Sequence, residues 1–243
     1  MSNNSLNLFV GGLKQLGVEP RDTLLEQFFL YRQELLEWNT RMNLTAITGQ
    51  EDVLVKHFLD SLSVLKVYDK SSVRLLDIGS GAGFPGLALK IVRPQWEVVL
   101  LEATGKKVTF LRHMIETLQL KHVEAVNGRA EEFAHRLDYR ATFDVVTARA
   151  VASLPVLLEY AAPFCRVGGR IILLKKGELE DELSRGKRAA LEVGAVLTSD
   201  AAVLLPGIED SRRLLMWEQQ RVSPRRYPRS GAAMTKKPLG IGS

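Results

Sequence analysis

From Val73 onward the chain repeats one alternation: a short run of Val, Ile and Leu closed by Gly or a polar residue, then a stretch long enough for a helix. The runs are VRLLDIG, EVVLLEA, KHVEAVNG, FDVVTARA and GGRIILLKKG; between them lie GLALKIV, KKVTFLRHMIETLQL, EEFAHRL and SLPVLLEYAAPF. Strands apolar along their whole length are buried on both faces, and strands alternating with helices are joined by crossovers. The pattern therefore predicts an α/β fold with a parallel sheet covered on both sides. After the helical ELEDELSRGKRAALEV, the segments GAVLTSDAAVLL and RRLLMWEQQRV predict an antiparallel edge hairpin. Upstream, from Arg21 to about Leu65, apolar residues recur at three-to-four spacing, first from Leu24 to Trp38 and again from Val53 to Leu65, which predicts helices.

Composition agrees with a packed domain. The 243 residues are 46% hydrophobic and 25% charged, which excludes a disordered, collagenous or disulfide-scaffold chain. The one cysteine, Cys165, has no internal partner, and its place in PFCRVGG before the fifth strand predicts a buried thiol. The first residues lack the basic start and apolar run of an export signal, and no stretch has the apolar length to cross a bilayer, so a cytoplasmic location is expected. The net charge of +5 is unevenly placed. Residues 212–243 hold eight basic groups (Arg212, Arg213, Arg221, Arg225, Arg226, Arg229, Lys236, Lys237) and one acid, Glu218, while the remaining 25 basic and 27 acidic groups leave the body slightly negative. Such a segment is either a solvated, partly disordered tail or a contact for a polyanion.

The first strand runs into Asp77-Ile-Gly79-Ser-Gly81-Ala-Gly83-Phe-Pro-Gly86 and then a helix. Glycines at alternate positions let a backbone approach a ligand, and amides at a helix start favour a negative group. Gly81-x-Gly83-x-x-Gly86 also satisfies the dinucleotide fingerprint, and a tight turn alone can demand glycine. The second strand ends at Glu102, where a carboxylate can accept both hydroxyl hydrogens of a ribose. Ligands of open parallel sheets sit beyond the carboxyl ends of the strands, so the glycine loop, Glu102, Asn127 to Glu131, Thr147-Ala148-Arg149 and Lys175-Lys176-Gly177 should share one rim.

DIGSGAGFPGLALKI resembles the cofactor loop of S-adenosylmethionine-dependent methyltransferases. With Trp38-Asn39, Asn43-Leu44-Thr45, His57-Phe-Leu-Asp60-Ser61, Lys106-Lys107, Phe110-Leu111, Arg149-Ala150 and the ending from Tyr227-Pro228-Arg229 to Lys236-Lys237-Pro238-Leu239, the chain resembles, from about Leu35 to Leu239, the small-subunit ribosomal RNA methyltransferase G family, formerly glucose-inhibited division protein B. The resemblance implies a Rossmann-like methyltransferase fold: a mostly parallel seven-stranded sheet with an antiparallel C-terminal hairpin. Its expected parts are an N-terminal helical extension (1–72), a methyltransferase domain (73–222) and a basic tail (223–243). It implies methylation of guanosine N7 in 16S ribosomal RNA of the small subunit, with S-adenosylmethionine as cofactor, no metal, and a monomeric enzyme. Carried over, Asp77, Gly79, Ser80, Gly81, Gly83, Phe84, Glu102, Ala130, Glu131 and Arg149 would hold the cofactor. Arg149, Lys176 and His57 would serve the reaction, and Arg221, Arg225, Arg226, Arg229, Lys236 and Lys237 would bind RNA. Lys176 is matched to the family's lysine before Gly177, although Lys175 precedes it.

N7 of guanine carries an in-plane lone pair, so its methylation needs alignment rather than removal of a proton. TARAVASLP after the fourth strand holds neither the Asn/Asp-Pro-Pro-aromatic tetrad of amino-group methylation nor the cysteine of pyrimidine C5 methylation. A chemistry without a base makes His57 a better hydrogen-bonding residue of the core or the RNA backbone than a proton acceptor, with Asp60 and Ser61 orienting it or capping a loop. Phe84 is expected to be exposed after the glycine loop and to touch the splayed guanosine, with packing beneath the loop as the alternative. Two other readings remain: an NAD- or flavin-dependent oxidoreductase, against which no second nucleotide-binding half follows the fifth strand, and an RNA-associated protein without catalysis.

Overall fold

The computed structural model describes residues 3–149, 152–208 and 211–240. The N-terminal part comprises α1 (Asn3–Gln15), α2 (Asp22–Met42) and a helical rod of changing pitch: α3 (Gln50–Asp52), a π-helical segment (Val53–Leu59), α4 (Asp60–Leu62) and a 3-10 turn (Ser63–Lys66). Beyond it lie β1 (Arg74–Ile78), α5 (Gly86–Val92), β2 (Glu97–Glu102), α6 (Gly105–Thr117), β3 (Val123–Asn127), α7 (Ala130–Phe133), β4 (Phe143–Arg149), α8 (Leu154–Ala161), β5 (Cys165–Lys176), α9 (Glu180–Val193), β6 (Ala195–Val203), β7 (Arg212–Gln219) and α10 (Gly231–Lys236).

Among the described residues the strands form one sheet in the order β3-β2-β1-β4-β5-β7-β6, parallel from β3 to β5. The expected hairpin is present, but β7 lies inside it, antiparallel to both β5 and the edge strand β6. Register aligns the carboxyl ends: Ile78 lies opposite Leu101, Glu102 opposite Asn127, and Arg149 opposite Leu174. Because β7 runs the other way, its first residue, Arg212, lies opposite Lys176 on the same rim.

Each face of the sheet has its own core. On one face, Phe9, Phe28, Tyr31 and Phe58 from the N-terminal helices pack with Leu87, Phe110 and Trp96, all fully buried. On the other, α8 and α9 pack with Trp217, Phe164 and Cys165, whose thiol burial pushes up to about 12. Helix α1 carries the helical pattern upstream of Arg21, within the expected N-terminal extension, and Phe9, Leu13 and Leu16, at helical spacing, are buried. Gly12 fits it there: a β-carbon on that residue would come 2.3 Å from Leu59 Cδ1.

The basic C-terminal segment is folded onto the body, unlike a solvated tail. Arg140 donates to the carbonyls of Ala134, Ser223, Pro224 and Tyr227, and Tyr227, Met234 and Leu239 are buried. Among the described residues no helix is long and apolar enough to cross a membrane.

Candidate functional site

Asp77 holds the glycine loop from below. Its carboxylate accepts the Gly86 amide hydrogen (3.0 Å) and the Thr147 hydroxyl (3.0 Å). Full burial pushes the carboxyl up to about 7, against the opposing pull of these hydrogen bonds and Arg149. Gly79, Gly81 and Gly83 have φ of 65°, 58° and 100°, where a side chain is strained. A β-carbon on Gly81 would meet only the Gly79 carbonyl oxygen, at 3.9 Å, whereas one on Gly83 would press on the Tyr31 hydroxyl and Leu87. Glu102 closes the loop on its other side, accepting the amide hydrogens of Gly81 (3.0 Å) and Thr104 (2.8 Å).

Two cavities open on the rim. One, of about 410 Å³, lies over β1, β2 and β3 and is lined by Gly79, Glu102, Gly128, Ala130, Glu131, Arg149, Leu157 and Tyr160. The other, of about 560 Å³, is lined by Thr45, Lys56, His57, Asp60, Ser80, Gly81, Phe84, Lys175, Lys176 and Arg212, again with Gly79 and Arg149. The two cavities therefore meet at Gly79 and Arg149. Of the residues expected at the cofactor, Gly79, Glu102, Ala130, Glu131 and Arg149 line the smaller cavity, while Ser80, Gly81 and Phe84 face the larger. Asp77 and Gly83 line neither and act by shaping the loop.

Arg149 is clamped on several sides. Nη1 donates to Asp60 Oδ2 (3.1 Å) and the Lys56 carbonyl (3.3 Å), Nη2 donates to His57 Nδ1 (3.0 Å), and the guanidinium lies 4.9 Å from the Phe84 ring centre. An arginine is always a donor, so His57 Nδ1 is the acceptor and Nε2 carries the hydrogen, which it donates to Thr45 Oγ1 (2.7 Å). Burial, with Arg149 and Arg212 nearby, lowers the His57 pKa to about 3. His57 thus lines the larger cavity with its lone pair engaged, which leaves it no free site to accept a proton.

Phe84 is buried at 4% exposure, which corrects the exposed ring expected after the glycine loop. It is stacked between His57 (4.4 Å) and Tyr31 (5.5 Å), whose hydroxyl donates to the Ala82 carbonyl. Of the two lysines, Lys175 is tied to Glu182 (2.9 Å) and the Ala152 carbonyl, while Lys176 is exposed at the cavity mouth. Ala150, next to Arg149 in the motif, lies outside the described residues.

Arg221, Arg225, Arg226, Lys236 and Lys237 are exposed. Arg229 instead pairs with Glu159 through Nε (2.8 Å) and Nη2 (2.6 Å), and Glu159 is fully buried. Arg213 is likewise engaged, by Asp200 and Glu180. Two cavity cations, Lys56 and Arg212, were not singled out as site residues from the sequence. Attention to the carboxyl ends of parallel strands misses Arg212, because an antiparallel strand brings its first residue to that rim. Among the described residues no group of three His, Cys, Asp or Glu could hold a metal ion.

In the solved structure of a methyltransferase from Pyrococcus furiosus, the superposition covers 65% of this chain and 80% of that one at 20% identity, with a TM-score of 0.53. A complex of P. horikoshii TYW2 with MeSAdo matches over 61% of this chain and 57% of that one at 16% identity, with a TM-score of 0.50. The fold is Rossmann-like, of the kind seen in methyltransferases. Nothing in these likenesses supports a dinucleotide-dependent oxidoreductase, and the inserted antiparallel β7 departs from the 3-2-1-4-5-6 order of that class. In sequence, the chain is 45% identical to the ribosomal RNA small subunit methyltransferase G of Dehalococcoides mccartyi strain CBDB1 over 96% of this chain and all of that protein. It is 42% identical to the protein of that name from Lachnoclostridium phytofermentans over 98% of each. The model of the family described as rRNA small subunit methyltransferase G matches residues 24–204. Loop, rim and length of match agree: the chain belongs to the rRNA small subunit methyltransferase G family.

Proposed function

We propose that the protein transfers a methyl group from S-adenosylmethionine to N7 of one guanosine in 16S ribosomal RNA, acting as a monomer on the small ribosomal subunit in the cytoplasm. The observation that carries this reading is the meeting of the two cavities at Gly79 and Arg149, so that a cofactor in one would adjoin a base in the other. The smaller cavity suits the cofactor: Glu102 lines it and offers a carboxylate for ribose hydroxyls. Ala130 and Glu131 border the place for the adenine. When bound, the cofactor supplies a methyl group on a sulfonium.

The protein's part is alignment. N7 attacks with its own lone pair, so no side chain takes a proton, and positioning of this kind contributes on the order of 7 to 11 kcal/mol. Arg149, held by Asp60 and His57, presents its fork to the O6 edge of the guanine or an adjacent phosphate. Lys176, with Lys56 and Arg212, gives the larger cavity the charge for an RNA backbone. The exposed Arg221, Arg225, Arg226, Lys236 and Lys237 hold further phosphates.

Incubation with methyl-labelled cofactor and small subunits lacking the modification tests the reading. Label at N7 of a single guanosine is expected, and Arg149→Ala should lower transfer far more than it lowers cofactor affinity. Label on an exocyclic amine or on a pyrimidine would overturn the reading, and equal losses of transfer and cofactor binding in Arg149→Ala would overturn that residue's role.

A further inference from the structure

The motif residues around the larger cavity form a chain of contacts that ends on Arg149. Asn43, with φ 50° and ψ 55°, closes α2 in the left-handed conformation, and the backbone turns back on the helix. Thr45 is then pinned by Asn39, whose amide donates to the Thr45 carbonyl (3.0 Å) and whose oxygen accepts the Thr45 amide hydrogen (2.9 Å). Thr45 Oγ1 takes two donors, the Ile47 amide (3.0 Å) and His57 Nε2–H (2.7 Å). Both acceptor sites of the hydroxyl oxygen are filled. With its hydrogen committed to Thr45, the imidazole presents its Nδ1 lone pair to Arg149. Asp60, one helical turn beyond on the rod, holds the other nitrogen of the fork, and stacking on Phe84 holds the imidazole plane.

We propose that Thr45 and Asp60 are positioning residues for methyl transfer: Thr45 locks the tautomer of His57 so that its Nδ1 accepts from Arg149, and Asp60 fixes the other arm of the same guanidinium. Loss of the Thr45 hydroxyl frees the ring to carry its hydrogen on Nδ1. Two N–H groups, from His57 and Arg149, then face each other and the arginine turns away. Thr45 sits two residues past Asn43 and twelve before His57, a spacing that α2 and the π-helical rod alone bring together. The inference rests on the reading of Arg149 as the residue that holds the target base.

The test compares Thr45→Val, Thr45→Ser and Asp60→Asn with the unaltered protein, using small subunits lacking the modification. Thr45→Val should lower kcat by roughly 10- to 100-fold, the scale of loss from a small misplacement. Its cofactor dissociation constant should stay within about twofold, because Thr45, His57 and Asp60 lie outside the smaller cavity and only Arg149 of the network reaches it. Thr45→Ser, which restores the hydroxyl, should recover kcat. Nitrogen-15 spectra should show the Nε2–H tautomer of His57 in the unaltered protein and in Thr45→Ser, and a mixture in Thr45→Val. Should Thr45→Val unfold, Asp60→Asn decides by the same split between kcat and cofactor affinity. A folded Thr45→Val with full kcat, or a kcat limb near the ordinary histidine pKa of about 6.5 that His57→Asn abolishes, would overturn the proposal. Absence of transfer by the unaltered protein would instead remove the reading of function beneath it.

Discussion

Asp77 shows how one buried carboxyl shapes the site without lining it. Its hydrogen bonds to Gly86 and Thr147 tie β1, β4 and the start of α5 to one side chain. Burial raises its pKa from 3.8 to about 7, so the folded protein binds the proton more tightly than the unfolded chain does. By linkage, the contribution of this group to stability is greatest at low pH and is lost as pH rises from about 4 to about 7. Urea unfolding across that range should show the unaltered protein losing stability relative to Asp77→Asn as pH rises; parallel curves would contradict the assignment. At this scale the sequence was informative where chemistry lies at the strand ends, as for Gly79, Glu102 and Arg149. Phe84 was misplaced because order along a loop does not tell whether a ring points outward. Here Tyr31 and His57, from helices distant in sequence, enclose it.

Among the elements, the alternation of apolar runs and helices was enough to read the parallel part of the sheet, since a crossover leaves few other arrangements. The position of β7 was not legible: a hairpin pattern is the same whichever of its strands pairs with the rest of the sheet. The close approach of α5 to β1 makes a sharp prediction. A β-carbon on Gly86 would stand 2.5 Å from Leu100 Cδ2, 2.8 Å from Asp77 Cβ and 2.9 Å from Asp77 Oδ2. Gly86→Ala should therefore cost about 1 to 3 kcal/mol in thermal or urea unfolding and weaken cofactor binding with it, because the loop it anchors is displaced. A variant of unchanged stability would show that α5 can shift freely. The π-helical segment Val53–Leu59, which carries His57, is a second element that no apolar spacing announces, since Val53, Val55, Phe58 and Leu59 read equally well as an α-helix.

For the molecule as a whole, the excess positive charge after residue 211 proved to be of two kinds. Part of it serves the fold: Arg229 neutralises Glu159, and Arg213 bridges Asp200 and Glu180. Arg212, beside Asp60, is also partly buried, and the remainder, including Arg225 and Arg226, is exposed. Composition counts both alike, which is why this division could not be read from the sequence. The two kinds should separate by experiment. Arg229→Ala leaves a buried carboxylate without its cation and should destabilise the protein by about 3 kcal/mol or more in unfolding measurements. Arg225→Ala and Arg226→Ala should each stay within about 0.5 kcal/mol of the parent yet reduce the salt slope of RNA binding by about 1. Equal salt slopes in all variants would place the RNA contact elsewhere.

The strand order β5-β7-β6 also sets a timetable for the newborn chain. Synthesis delivers β6 before β7, yet among the described residues β6 pairs as a strand only with β7, so it must wait unpaired while its neighbour is made. Domains assemble as the chain emerges from its N-terminus. The proposed cofactor side, built from β1, β2 and β3, can therefore form early, whereas Arg212 reaches its cavity only when β7 slots in beside β5. On the function proposed above, a protein that acts on ribosomal RNA would thus complete the RNA side of its own site among the last acts of its translation.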